Sequence, residues 1–146
     1  ASPRIMEHPE YGRYLDERVR HYEKLSNIAY DILSNVPCLI VNRTNGAFYM
    51  TAVFNEAVLN SRQSLPIEND DIRQFVENLV HDKIEPDKRF VYYLLGATGI
   101  CVVPLTSFFT ALPGFRMTLL DKDEKEFERV VRTIAEGVTR YINSAT

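Results

Sequence analysis

Two long segments, one near each end of the chain, repeat apolar residues every three or four positions, and a stripe of that kind has to be buried against something. The first runs from about Pro9 to about Ser34 and carries Tyr11, Tyr14, Leu15, Val19, Tyr22, Leu25, Ile28, Ala29, Ile32 and Leu33. The second opens with Asp123 and Glu126 at capping-box spacing and carries Phe127, Val130, Val131, Ile134, Val138, Tyr141 and Ile142. The runs of strand character between them are all short. Two amphipathic helices bracketing short strands predict α+β: a small, mainly antiparallel sheet of about four strands, with the first and last helices packed on one face.

The intervening segments follow from local chemistry. Asn35-Val36-Pro37 stops the first helix, because a proline disfavours a helical residue before it. Cys38–Asn42 and Ala47–Phe54 read as a β-hairpin, with positive φ expected at Asn45 or Gly46 of the Arg43-Thr44-Asn45-Gly46 turn. Asn55–Asp71 is a polar, irregular connection. A helix over Asp70–His81 shows Ile72, Phe75, Val76, Leu79 and Val80 on one face. After Pro86, Asp87 is placed to cap a further helix with Phe90, Val91, Leu94 and Leu95, ended by Gly96 or Gly99. Strands Ile100–Val103 and Phe115–Leu120 follow on either side of Pro104–Pro113.

A length of 146 residues, spanning 1-146, is that of a single domain. The net charge of −3 lacks the electrostatic footprint of a nucleic-acid or anionic-membrane partner, and no run approaches the roughly 18 apolar residues of a membrane span. A polar N-terminus with Arg4, Glu7 and His8 does not read as a signal peptide, and a start at Ala-Ser-Pro reads as a fragment. Cys38 and Cys101 stand in apolar runs and are expected to be buried thiols in a reduced, cytoplasmic setting. His8, His21 and His81 show no ligand spacing, so no metal site is expected.

Arg116 is the chief candidate for chemistry. It stands mid-strand between Phe115 and Met117, so alternation turns it away from the face those two bury. On a rigid strand its guanidinium is a good fork for a carboxylate. Alternation alone leaves open both a ligand-gripping arginine and an arginine on a solvated sheet face paired with Asp or Glu.

The wider pattern narrows this. Gly99, Val102, Val103 and Pro104, followed about ten residues on by Phe115, Arg116, Met117 and Thr118, resemble the C-terminal end of fold-type I, pyridoxal-phosphate-dependent aminotransferases, closest to the alanine-aminotransferase-like group. Asn45-Gly46-Ala47-Phe48-Tyr49 resembles the turn and strand preceding that family's small-domain helices, and the long first helix resembles the one entering the small domain. The resemblance spans nearly the whole chain in colinear order.

It implies that the chain is the C-terminal small domain of a larger aminotransferase, whose large cofactor-binding domain lies outside this sequence. The parent would move an amino group between an amino acid and a 2-oxo acid, with the large domain of the same polypeptide as partner and a homodimer as the assembly. Arg116 would bind the substrate carboxylate, and Phe48 and Tyr49 would flank the substrate. Lys24, Lys83, Lys88, Lys122 and Lys125 all lie in polar contexts, none suited to a Schiff base. Pyridoxal phosphate would therefore be bound mainly by the large domain, and the isolated chain is expected to bind none and to be inactive. One departure stands out: Leu105, Phe108 and Phe109 occupy a run that is small and glycine-rich in the family, which leaves the substrate open. Two other readings remain: a non-enzymatic α+β interaction module using the tyrosine-bearing first helix, and an amino-acid-binding regulatory domain.

Overall fold

The computed structural model describes residues 3–145. Its elements are α1 (Pro3–Met6), α2 (Tyr11–Leu33), β1 (Leu39–Val41), β2 (Tyr49–Phe54), α3 (Asp70–Leu79), α4 (Pro86–Thr98), β3 (Val103–Pro104), a 3-10 turn (Leu105–Phe108), β4 (Gly114–Thr118) and α5 (Glu124–Asn143). The four strands form one antiparallel sheet in the order β1-β2-β4-β3. The fold is α+β, as the two helical stripes predict.

Strand alternation divides the sheet into two unlike faces. One presents Leu39, Met50, Ala52, Phe54, Phe115 and Met117, all buried, to the helices. There Phe54 and Phe115 meet Phe90 of α4, which meets Tyr141 of α5 edge-on at 5.2 Å between ring centroids. Leu25, Ala29 and Leu33 of α2 and Val131, Ile134 and Val138 of α5 belong to the same core. The other face carries Ile40, Tyr49, Thr51, Val103 and Arg116, exposed or half-buried.

Capping chemistry sets the helix ends. The Asp123 carboxylate accepts from the N–H groups of Lys125 (2.8 Å) and Glu126 (3.1 Å), so the aspartate works as the box predicts. Asn69 does the same for α3, accepting from the Ile72 N–H at 3.0 Å. Of the two glycines placed to end α4, Gly99 does so, with φ 73° and its N–H on the Leu95 carbonyl at 2.8 Å. Gly96 instead stays helical, packed against Ile67 and Val76.

Several details differ from the sequence reading. In the β1–β2 connection the left-handed residue is Ala47 (φ 61°), not Asn45 or Gly46, because the turn is wider than a two-residue hairpin. α2 starts at Tyr11, beyond a separate short α1. The third strand lies at Val103–Pro104 rather than Ile100–Val103, since only these residues register with β4. Cys101 is exposed and Cys38 half-buried, so neither is the buried thiol expected from its apolar neighbours. Asp87 does not act as the cap of α4; that position is Glu85, with Pro86 opening the helix. Among the described residues no helix is long and apolar enough to cross a membrane.

Candidate functional site

Arg116 lies in β4, a strand paired on both sides, opposite Thr51 of β2 and Val103 of β3. Phe115 and Met117 are buried and Arg116 is half-buried on the other face, as alternation requires. Its surroundings are aromatic. The guanidinium carbon stands 4.4 Å from the Tyr49 ring centroid and 3.9 Å from that of Phe108. Tyr49 reaches it diagonally across the β2–β4 ladder, two positions before Thr51. Phe108 reaches it from the end of the 3-10 turn. Each such contact is worth about 0.5–2 kcal/mol, depending on desolvation. Among the described residues no ion pair involves Arg116, so the solvated arginine with an acidic partner is not what the structure shows.

The arrangement suits recognition of a planar anion. Aromatic rings occupy the flat faces of a guanidinium, while its N–H donors lie in its plane and point along its edge. A stacked arginine therefore keeps its fork in a set orientation and still offers it to a carboxylate.

Phe48 is exposed at the mouth of β2, its ring centroid 4.5 Å from that of Tyr49. Phe48, Tyr49, Arg116 and Phe108 thus form a continuous row. Beyond Phe48 opens a cleft of ≈ 520 Å³ between α2 and the β1–β2 connection, lined by Val19, Tyr22, Ser26, Thr44, Gly46 and Phe48. There the hydroxyls of Ser26 and Thr44 are hydrogen-bonded at 2.6 Å. A larger, more open cleft of ≈ 640 Å³ between α2 and α5 shares no lining residue with this row.

The remaining sequence candidates fall elsewhere. Lys88 pairs with Glu85 at 2.9 Å, Lys24 pairs with Glu124, and Lys83, Lys122 and Lys125 are exposed. These positions do not fit a pyridoxal phosphate site: none joins a buried lysine to a polar cradle. His21 donates its Nε2–H to the Asp121 carbonyl oxygen at 2.7 Å, which ties α2 to the segment after β4.

Sequence reasoning missed two contributors. Phe108 figured there as a departure from small residues; its place over Arg116 depends on how the 3-10 turn packs beside β4, which no local pattern encodes. Asp87 is fully buried and its carboxylate accepts from Thr106 N–H (2.9 Å), Thr106 Oγ1 (2.7 Å), Lys88 N–H (2.9 Å) and Gly114 N–H (3.3 Å). Only its position one residue after Pro86 hinted at a capping role.

No family model matches the chain. An uncharacterized aminotransferase of Methanocaldococcus jannaschii is 49% identical to it over 144 residues, which are 99% of this chain and 33% of that protein. The chain thus spans about one third of the curated relative it matches. The crystal structure of an aspartate aminotransferase from Rhizobium meliloti superposes with a TM-score of 0.64 at 24% identity, covering 87% of this chain and 27% of that one. An aminotransferase from Escherichia coli gives 0.55 at 20% identity, over 80% of this chain and 23% of that one. At these identities the two structures speak for the fold. The chain is similar over almost its entire length to one third of an aminotransferase, and its fold is that of a part of two others.

Proposed function

We propose that this chain is the C-terminal small domain of a larger pyridoxal-phosphate-dependent aminotransferase, and that its contribution is to hold the substrate α-carboxylate on Arg116. The observation that carries the reading is half-buried Arg116, its guanidinium carbon 4.4 Å from the Tyr49 ring centroid and 3.9 Å from that of Phe108, on a strand held from both sides. The 49% identical relative supports it by its name.

The amino acid and the 2-oxo acid present the same α-carboxylate, so one fork serves both half-reactions. Phe48 extends the aromatic row and would border the substrate side chain. The lysines here do not form a cofactor site, so holding pyridoxal phosphate falls to the rest of the longer protein, and no step through it is assigned to this chain. The exposed apolar residues Ile5, Met6, Tyr14, Leu15 and Val19 on α1 and the first half of α2 offer a surface for that large domain or for a second subunit.

The test uses the longer protein. Amino-group transfer from each common amino acid to 2-oxoglutarate is measured, and the best donor is carried into Arg116→Ala. A charge-assisted bidentate pair in a closed site is worth roughly 2–5 kcal/mol, so kcat/KM should fall by roughly one and a half to three and a half orders of magnitude. Arg116→Lys should recover only part, since an ammonium cannot make the planar fork. The chain by itself should give no lysine-dependent absorbance change with pyridoxal phosphate. Near-normal kinetics for Arg116→Ala would refute the assignment of the carboxylate to this residue.

A further inference from the structure

We propose that Asp87 is a positioning residue that sets the orientation of Arg116; this rests on the reading of Arg116 as the carboxylate fork. The argument begins with a fully buried carboxylate, which costs free energy unless its lone pairs are used. Here they all are. One oxygen, Oδ2, accepts from the backbone N–H groups of Thr106 at 2.9 Å and Gly114 at 3.3 Å. The other, Oδ1, accepts from Thr106 Oγ1 at 2.7 Å and Lys88 N–H at 2.9 Å.

The places of these donors give the carboxylate its meaning. Thr106 lies two residues before Phe108, and Gly114 two residues before Arg116. A single oxygen thus pins the backbone just ahead of both members of the stack whose centres are 3.9 Å apart. The loop between them ends on this one anchor. Asp87 is itself fixed, because α4 is held in the core by Phe90 and Leu94, both fully buried. The third member, Tyr49, is placed independently by the β2–β4 ladder. Loss of the anchor frees Phe108 and the turn that carries it to move relative to Arg116 and Tyr49, which the β2–β4 ladder holds together, and the guanidinium loses one of the two rings that set its plane. Asp87 touches no substrate in this scheme; it acts through Arg116.

Asn is close to Asp in shape but replaces one acceptor oxygen with an NH2 donor. Whichever way the amide turns, it sets that donor against an N–H the carboxylate satisfied. Asp87→Asn therefore tests the hydrogen bonds with little change of volume. Thr106→Val removes the hydroxyl bond alone and is the milder variant if the first does not fold.

The experiment uses the longer protein with 15N-labelled arginine. The Nε–H signal of Arg116, identified by its loss in Arg116→Ala, should be shifted upfield by the two rings. In Asp87→Asn it should move toward the position of an exposed arginine, and in Thr106→Val it should move the same way by less. In parallel, KM for the best amino donor should rise about tenfold in Asp87→Asn, the size of one hydrogen bond to a charged group, with a smaller change in kcat. Asp87→Asn added to Arg116→Ala should cost nothing further, because the two act as one unit. A merely structural carboxylate would give effects that multiply, and an Arg116 signal unmoved in both variants; either result overturns the proposal. If Arg116→Ala leaves KM unchanged, the carboxylate reading fails, while the Arg116 signal still decides the role of Asp87.

Discussion

Gly114 is where the packing of the site admits the sharpest test. It opens β4, pairs with Val53 and precedes Arg116 by two residues. A Cβ built on it would lie 2.4 Å from the Ala52 carbonyl oxygen, 2.7 Å from Leu105 Cδ1 and 3.0 Å from Val53 Cα. Leu105 can yield by changing rotamer. The carbonyl and the Cα cannot, because both belong to β2 and moving them breaks the ladder to β4. Overpacking a core costs about 1–3 kcal/mol, and here the backbone must give as well, so Gly114→Ala should lose about 2–4 kcal/mol. For a chain of this size that is a fall in Tm of roughly 5–15 °C. Gly12 provides the contrast: it lies in α2 with no heavy atom within 4 Å of an added Cβ. Gly12→Ala should therefore gain a few tenths to about 1 kcal/mol from helix propensity alone. Urea unfolding of both variants, followed by circular dichroism with m unchanged, measures the two values. A Gly114→Ala within about 1 kcal/mol of the parent sequence would refute the close-approach argument.

Two other outcomes follow from exposure and backbone strain. An alkylating agent should label Cys101 before Cys38, and labelling of Cys38 should increase only above the usual thiol range, since burial pushes that thiol up and only its backbone hydrogen bond opposes the shift; equal rates, by mass spectrometry of timed digests, would contradict this. Phe109 is fully exposed with φ 59°, a left-handed conformation that costs an L-residue about 1–2 kcal/mol, whereas glycine there costs about 0.5–1 kcal/mol through the unfolded chain; Phe109→Gly should thus raise the stability of this chain by about 0.5–1 kcal/mol, and a loss in thermal unfolding would show that the ring packs after all.

What the sequence made legible was whatever depends on periodicity. The stripes of α2 and α5, the Asp123 cap, the proline break after Val36 and the outward placement of Arg116 all follow from spacings of two or three to four residues. What it hid depends on meetings between segments far apart in the chain. Asp87 looked like a cap because Pro86 precedes it, yet apart from the Lys88 N–H its partners lie 19 and 27 residues on. Phe48 and Tyr49 both drew attention by resemblance to a family motif, without a sign of which would matter; Tyr49, on the parity of Thr51, is the ring that reaches Arg116, and Phe48 joins through Tyr49. The turn went wrong for a related reason: Asn45 and Gly46 carry the composition for positive φ, while the closure of the wider loop places it on Ala47.

The run Leu105–Phe109 shows how a departure from a family pattern acquires a physical reading. By resemblance the run should be small and glycine-rich, and bulk there suggested an altered site. The three large residues have three different placements. Leu105 is buried and fills the space that Gly114 leaves open. Phe108 covers one face of Arg116. Phe109, alone of the three, turns outward in a strained left-handed conformation. Strain of this kind persists only where the surroundings impose it, and the hydrogen bonds of Asp87 to Thr106 and Gly114 hold the chain on either side of Phe109. Glycine at 109 would keep the bend without the strain and leave the Phe108 contact on Arg116 in place, so the bulk at 108 and the bulk at 109 are separable, and only the first belongs to the grip of Arg116.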